Sequence, residues 1–295
     1  MISQGLQAQT PSDGVMMPKG DLCTGFMYGY DRWTRYWEGA LLRDNGNIGS
    51  LTTQSYSWAA AYGVNNKINA LVMVPYVMTK ASQGTLHGMK GLQDLMIAAK
   101  YRMLNIALGR HVFRTHGVLA FSTPMSPYTP DFLPMSIGLA STNLSWRLNG
   151  YFRTGAGLYL NATGGYTWRS NVEIDREAYY TGTGLYLTKE VRMPNVIDYV
   201  LSAGYAKNAF TGELYYSVQN TLGGGDIRRQ DMPFVSNKMN FTKVGAMIVY
   251  NVPRPTNFVL RGGAGYTIAG RNVGKSLSVT GGLLYTFHFS KNKTE

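Results

Sequence analysis

The sequence predicts an all-β chain folded as a transmembrane antiparallel β-barrel of about twelve strands, with short turns at one end and long loops at the other. Three observations predict it. First, apolar and polar residues alternate with period two: in SLSVTGGLLYTFHFSKNKTE, Leu277, Val279, Leu283, Tyr285, Phe287 and Phe289 share one parity, and Ser276, Ser278, Thr280, Thr286 and His288 the other. Second, the alternating stretches have the ~10 residues that a tilted membrane strand requires. Third, charged residues make up only 15% of the chain, low for a surface facing water. The 35 Gly and 21 Tyr, punctuating short runs, favour strands over helices.

In chain order, strands are expected at 24–37, 51–63, 67–79, 94–104, 111–122, 138–148, 151–168, 196–207, 213–223, 240–252, 257–269 and 276–289. The even-numbered ones end in small turns: Val64-Asn65-Asn66, the link through Asn105 and Gly109, Asn149-Gly150, Phe210-Thr211-Gly212 and Pro253-Arg254-Pro255. The odd-numbered ones lead into longer loops, the longest being SNVEIDREAYYTGTGLYLTKEVRMPN. In the seventh stretch Phe152, Ala156, Leu158, Leu160, Tyr166 and Trp168 share one face, opposite Arg153, Tyr159, Asn161, Thr163 and Arg169. In the tenth, Val244, Ala246, Ile248 and Tyr250 oppose Lys243, Gly245 and Asn251. The polar face carries Gly, Ser, Thr and a few Arg where a soluble sandwich would carry Lys and Glu, so the apolar face is assigned to lipid and the polar face to the lumen. Trp58, Tyr62, Tyr101, Trp146, Trp168 and Tyr250 fit interfacial girdles.

Composition narrows the alternatives. Hydrophobic content is 44% with a mean hydropathy of -0.16. The longest apolar runs, such as ALVMVPYVM, fall far short of the ~20 residues of a membrane helix. One cysteine, Cys23, excludes an internal disulfide framework and a Cys-based zinc site. The four His lie in separate segments without HExxH or His-x-His spacing, and no Gly-x-Ser-x-Gly elbow occurs, so neither a metal, a cofactor nor an enzyme is expected. GGGDIRR follows a β pattern and opens no helix, which removes a phosphate-loop reading. The net charge of +12 would suggest nucleic acid in a soluble protein, but its placement inside a barrel argues for no nucleic-acid partner. At the amino end, Leu6-Gln7-Ala8 before Gln9 reads as the tail of a secretion signal. Residues 1–8 are therefore expected as residual signal peptide, 9–23 as a periplasmic segment, 24–289 as the barrel and 290–295 as a periplasmic tail.

The stretch QSYSWAAAYGVNNKINALVMVPYV, followed after a loop by GLQDLMIAAKYRML, resembles the transporter-like outer-membrane barrels of the phenol-degradation meta-pathway family, and GLYLNATGGYTWR at 157–169 resembles a later strand of that group. Gln93 stands where that family often has a second Gly. The composition and processing site are similar to a Bacteroidota version. The resemblance implies a bacterial outer-membrane barrel that moves small, often aromatic or hydrophobic, compounds, with outer-membrane lipid around it.

Parity places Lys100, Arg102, Arg114, His116, Arg147 and Arg153 on the inner face of neighbouring strands, extended by Arg169, Lys243 and Arg261. Two readings of this basic patch stand side by side. One is a constriction in a narrow channel that favours anionic or aromatic solutes. The other is an ion-pair network with Asp31, Asp94, Asp198 and Glu213 that fills the barrel of a non-conducting subunit or scaffold in a larger envelope complex. The loops, rich in Gly, Pro and aromatics, suit a recognition surface or a self-packed lid.

Overall fold

A computed structural model describes residues 10–181, 184–228 and 232–289. Its main sheet holds thirteen strands, one of which is the three-residue piece Lys90–Leu92, leaving twelve that build the wall. They are β1 Asp21–Trp33, β2 Leu51–Gly63, β3 Ile68–Ala81, β4 Asp94–Leu108, β5 His111–Pro124, β6 Asn143–Arg153, β7 Leu158–Arg169, β8 Val196–Lys207, β9 Phe210–Thr221, β10 Asn240–Asn251, β11 Phe258–Arg271 and β12 Leu277–His288. Each pairs antiparallel with its chain neighbours, and β1 pairs with both β2 and β12. That last pairing closes the barrel and leaves no free edge.

Every wall strand alternates outward and inward side chains. Leu158, Leu160, Leu201 and Leu214 are among those pointing outward, from 51% to 69% exposed, where a soluble fold would bury them. Trp58, Tyr62, Tyr101, Trp146, Trp168 and Tyr250 are all exposed on this outer surface. Trp146 and Tyr166 stack across β6 and β7 with ring centroids 4.8 Å apart. No helix of the described residues is long and apolar enough to cross a membrane.

Two ladder irregularities follow from local chemistry. Pro75 has no N–H to give, and around it the β3–β4 register slips: Met73 faces Met96, whereas Tyr76 faces Leu92 in the separate piece Lys90–Leu92. The gap is bridged by Gln93 N–H donating to the Pro75 carbonyl at 2.9 Å. In β4 a bulge between Arg102 and Leu104 adds a residue near the short-turn end.

Several expected boundaries are corrected. Asn149-Gly150 is the middle of β6: Asn149 is fully buried and ladder-paired, and the reversal occurs at 154–157. The expected sixth and seventh strands, 138–148 and 151–168, therefore become β6 and β7 as given above. Phe210-Thr211-Gly212 opens β9, and the turn before it is Asn208-Ala209, with Asn208 at φ 53°. The first strand runs from Asp21 to Trp33 rather than 24–37; Arg35–Glu38 pairs instead with Leu41–Asp44 in a loop hairpin.

The loops at the other end fold on themselves. Val172, Ile174, Tyr179, Val191, Met193, Phe234 and Val235 form a buried apolar cluster between the 170–195 and 222–239 loops. Asn272 ties three loops together: its Oδ1 accepts from the N–H groups of Gly39 (2.8 Å) and Ile227 (3.0 Å), and its Nδ2 donates to Asp226 (2.9 Å). Asp226 also accepts two bonds from Arg271, at 2.7 and 2.5 Å, and this guanidinium holds its carboxyl down at about 2.

Candidate functional site: the amino-terminal segment inside the lumen

Residues 9–23 are expected as a periplasmic segment; of these, residues 10–17 make their contacts with the inward side chains of the barrel wall. The chain doubles back where β1 begins: Gly20 N–H donates to the Gly63 carbonyl at 2.8 Å, and a Cβ on Gly63 would collide with the Pro18 carbonyl. From there the segment climbs along the inner wall to a turn at Thr10–Asp13. Gly14 passes so close to the Tyr151 ring that any side chain there would overlap it.

The turn is held by the polar side of the lumen. The Ser12 carbonyl accepts from Thr163 Oγ1 (2.8 Å), Asn161 Nδ2 (3.1 Å) and Asn149 Nδ2 (3.3 Å). Asn149 also donates to Asn161 Oδ1 at 2.6 Å, and its Oδ1 lies 3.1 Å from His116 Nδ1. Lys100 is fully buried, and its Nζ donates to Asp13 Oδ1 at 2.8 Å, to the Thr10 carbonyl at 3.3 Å and to the Asp13 carbonyl. A buried ammonium is tolerable only when paired and hydrogen-bonded, and here the wall supplies the cation while the segment supplies every partner.

A further part of the inner face is apolar, where the sequence reading assigned the polar face to the lumen. Cys23, Ala61, Leu71, Ala98, Val118, Ala120, Val249, Val259 and Leu284 form one buried cluster around Met17, drawn from β1–β5 and β10–β12. The segment is thus amphipathic in its contacts, with Ser12 and Asp13 toward β4–β7 and Met17 toward the greasy wall. Two chambers lie beside it among the described residues. The upper one, about 330 Å³, is lined by polar groups that include Asp94, Asn143, Arg147 and Arg169. The lower one, about 110 Å³, is lined by Met27, Ala60, Met73, Leu284 and Arg261. Pro11 and Met96 line both, so they form the partition between a polar and an apolar space.

The nine basic residues singled out from parity all occupy inward positions, but they do not form one patch. Arg147 pairs with Asp198 at 3.1 Å and also bonds Ser145. Arg102, Arg114 and Arg153 gather near the short turns, where they bond Asn66 O, Asn105 Oδ1 and Ala206 O. No salt bridge to these three occurs among the described residues, and Arg114 feels the other two electrostatically. Arg169 lines the upper chamber and Arg261 the lower. Lys243 lies 5.3 Å from the centre of the Phe241 ring, and its charge is felt by Asp31. Of the four acids named as partners, Asp198 alone makes a salt bridge to one of the nine; Asp94 accepts from Tyr128 (2.7 Å) and Glu213 from Tyr159 (2.8 Å). Burial and the Asp94 carboxylate push the Tyr128 phenol well above its usual range.

Sequence reasoning missed Asp13 and Ser12 and took Asn149 for a turn residue, whereas Asn161 and Thr163 were already placed on the lumenal face. A signal for Asp13 was present: a lysine at an inward position beside few inward carboxylates demands a partner from elsewhere. Among the described residues no group of His, Cys, Asp and Glu is arranged to hold a metal ion.

No family model and no curated protein sequence matches the chain. Among solved structures, the COG4313 outer membrane channel from Pseudomonas putida F1 superposes with a TM-score of 0.74 at 11% identity, covering 96% of this chain and 100% of that one. The translocator domain of the autotransporter NalP from Neisseria meningitidis is more distant, with a TM-score of 0.47 at 9% identity over 92% of this chain and 90% of that one. The fold this chain shares with the first is that of a closed, twelve-stranded outer-membrane-type barrel.

Proposed function

We propose that this chain is an outer-membrane channel for small solutes whose own amino-terminal segment reduces the lumen to a narrow path. The observation that carries the reading is the Lys100–Asp13 contact, 2.8 Å long and made by a wall lysine with no exposure to solvent. A segment docked on the wall through the Lys100–Asp13 ion pair, hydrogen bonds to Ser12 and the packing of Met17 is a closure that can be displaced. The cargo is a small molecule with an apolar body and an anionic end. Arg169 in the upper chamber, Arg261 in the lower and the three arginines near the short turns mark the anionic side of the path. Met27, Met73 and Met96 mark its apolar side.

The second reading, a non-conducting scaffold of an envelope complex, draws on the same filled lumen and on the packed loops at the other end. Planar bilayers separate the two. Under a salt gradient the protein shows small channels with an anion-selective reversal potential, and Arg114→Ala with Arg153→Ala moves that potential toward zero. Absence of any conductance, both in the full chain and after removal of residues 10–17, would favour the scaffold and overturn the channel.

A further inference from the structure

Charge on the outer face of the wall is gathered at one place. The carboxylates of the wall strands, Asp21, Asp31, Asp94, Asp198 and Glu213, all fall on inward positions. Most lysines and arginines of those strands also point inward or, like Arg271, are bonded to a loop carboxylate. Lys207 points outward at the short-turn end of β8, whereas Arg32 and Lys80 do so at the loop ends of β1 and β3. Arg32 and Lys80 are both exposed, and Thr52 of β2 is the ladder partner of each. Two further cations join them. Lys90, exposed in the short piece that pairs with β3, faces Met78, two residues before Lys80. Lys275 stands two residues before Leu277, the β12 partner of Arg32, and its Nζ lies 5.6 Å from the centre of the outward Tyr266 ring. Elsewhere around the loop end the outward positions carry neutral residues such as Phe121, Leu144, Trp168 and Ile197.

A long cationic side chain at the rim of a lipid-facing wall lays its stem along the apolar surface and holds its tip among the headgroups. No protein carboxylate neutralises this row. Glu38 and Asp44, in the loop after β1, pair with Arg43 (2.6 Å) and Arg35 (3.0 Å), and Arg32, Lys80 and Lys90 make no salt bridge among the described residues. Register sorts the four cations into two neighbouring pairs, Lys80 with Lys90 and Arg32 with Lys275. Lys80 and Lys90 are diagonal cross-strand neighbours, about 7–8 Å apart. Arg32 and Lys80 stand ~10 Å apart, two strand spacings across Thr52. Like charges so placed repel, and a phosphate at each pair removes the repulsion while accepting their hydrogen bonds. Below the row the wall is aromatic and apolar: the Tyr28 and Tyr56 rings lie 5.2 Å apart, and Leu277 and Val279 are exposed. Tyr266 and Leu277 also line a shallow apolar groove on the outer face, together with the small residues Ala203, Ala246 and Ala264. That groove therefore reaches the strand next to Arg32.

We infer that this part of the outer face docks an outer-leaflet lipid bearing two phosphate groups, one on Lys80 and Lys90 and the other on Arg32 and Lys275, with an acyl chain in the groove beside Ala264. Docking requires the barrel to lie in an outer membrane but not to conduct, so it stands or falls separately from the channel reading.

Native mass spectrometry of the full-length protein in detergent micelles, titrated with hexa-acyl lipid A carrying both phosphates, reads the affinity. The parent retains this lipid in preference to lipid A stripped of its phosphates. Arg32→Gln with Lys80→Gln weakens binding about 25-fold, or about fivefold for each cation removed. Ala264→Phe fills the groove and also weakens it, whereas Lys207→Gln at the other end of the wall leaves it unchanged. Each variant keeps its heat-modifiable folded form on gels. Equal affinity of the parent and the Arg32/Lys80 variant would overturn the inference, as would equal retention of the phosphate-free lipid, indifference to Ala264→Phe, or a comparable loss in Lys207→Gln.

Discussion

Lys100 on β4 and Asp13 in the amino-terminal segment meet at 2.8 Å across 87 residues of chain, with the lysine wholly enclosed. The contact couples the wall to the amino-terminal segment, because neither charge has another ionic partner among the salt bridges of the described residues. Removing one side of such a pair leaves an uncompensated buried charge, at a cost of about 3–5 kcal/mol, whereas replacing both sides by apolar groups can be nearly neutral.

Asp13→Asn therefore unseats the segment more strongly than the double substitution Asp13→Leu with Lys100→Met. In bilayers, Asp13→Asn channels spend a larger share of time in a high-conductance state, and the double variant returns toward the parent. Equal behaviour of the two would mean that the ion pair does not hold the closure.

Asn149 is the hub of the polar wall, bonded to His116, Asn161, Thr163 and the Ser12 carbonyl. Asn149→Leu strands several of these groups, each at about 1–3 kcal/mol. The expected outcome is a drop of several degrees in the temperature at which the barrel loses its fast-migrating folded form on gels. An unchanged transition would remove Asn149 from that role.

How much of this was legible in the chain depends on periodicity. The alternation of β12 and β10 gave both faces, because lipid and lumen impose opposite chemistry on successive residues. Asn149-Gly150 carried the chemistry of a tight turn but lies mid-strand, where the buried amide serves the lumen and overrides local preference. The apolar inner wall left a trace in the unbroken run Ala70–Tyr76, since a strand apolar on both faces loses its alternation. The segment at 10–20 left only an indirect trace, an inward lysine short of carboxylate partners: the segment itself has no period, and its partners lie far along the chain. Parity set Lys100 correctly inward, yet could not supply Asp13.

Leu201 lies mid-strand on β8 and is 51% exposed on the outer face. Leu201→Arg places a charge toward acyl chains and destabilises the barrel by about 2–4 kcal/mol if its Cα sits at the bilayer midplane. Equilibrium urea unfolding in phospholipid vesicles reads this directly. A change below the scatter of the measurement would contradict the assignment of that face to lipid.

The loop-end tie at Asp226 predicts an acid response. Its carboxyl titrates at about 2 against an ordinary 3.8, so its contribution is fully present above about 3.8 and is lost as pH falls through about 2. Pulse hydrogen exchange on the 222–228 peptide shows protection constant from pH 6 to 4 and falling below 3. Asp226→Asn removes that acid step. A step that survived the substitution would belong to another group.

The central claim is that residues 10–17 are what closes the lumen, and single-channel conductance of the chain with and without them tests it most directly. Deletion is expected to raise conductance several-fold while the barrel keeps its heat-modifiable folded form. A deleted chain that folds and conducts no better than the full-length protein would contradict it.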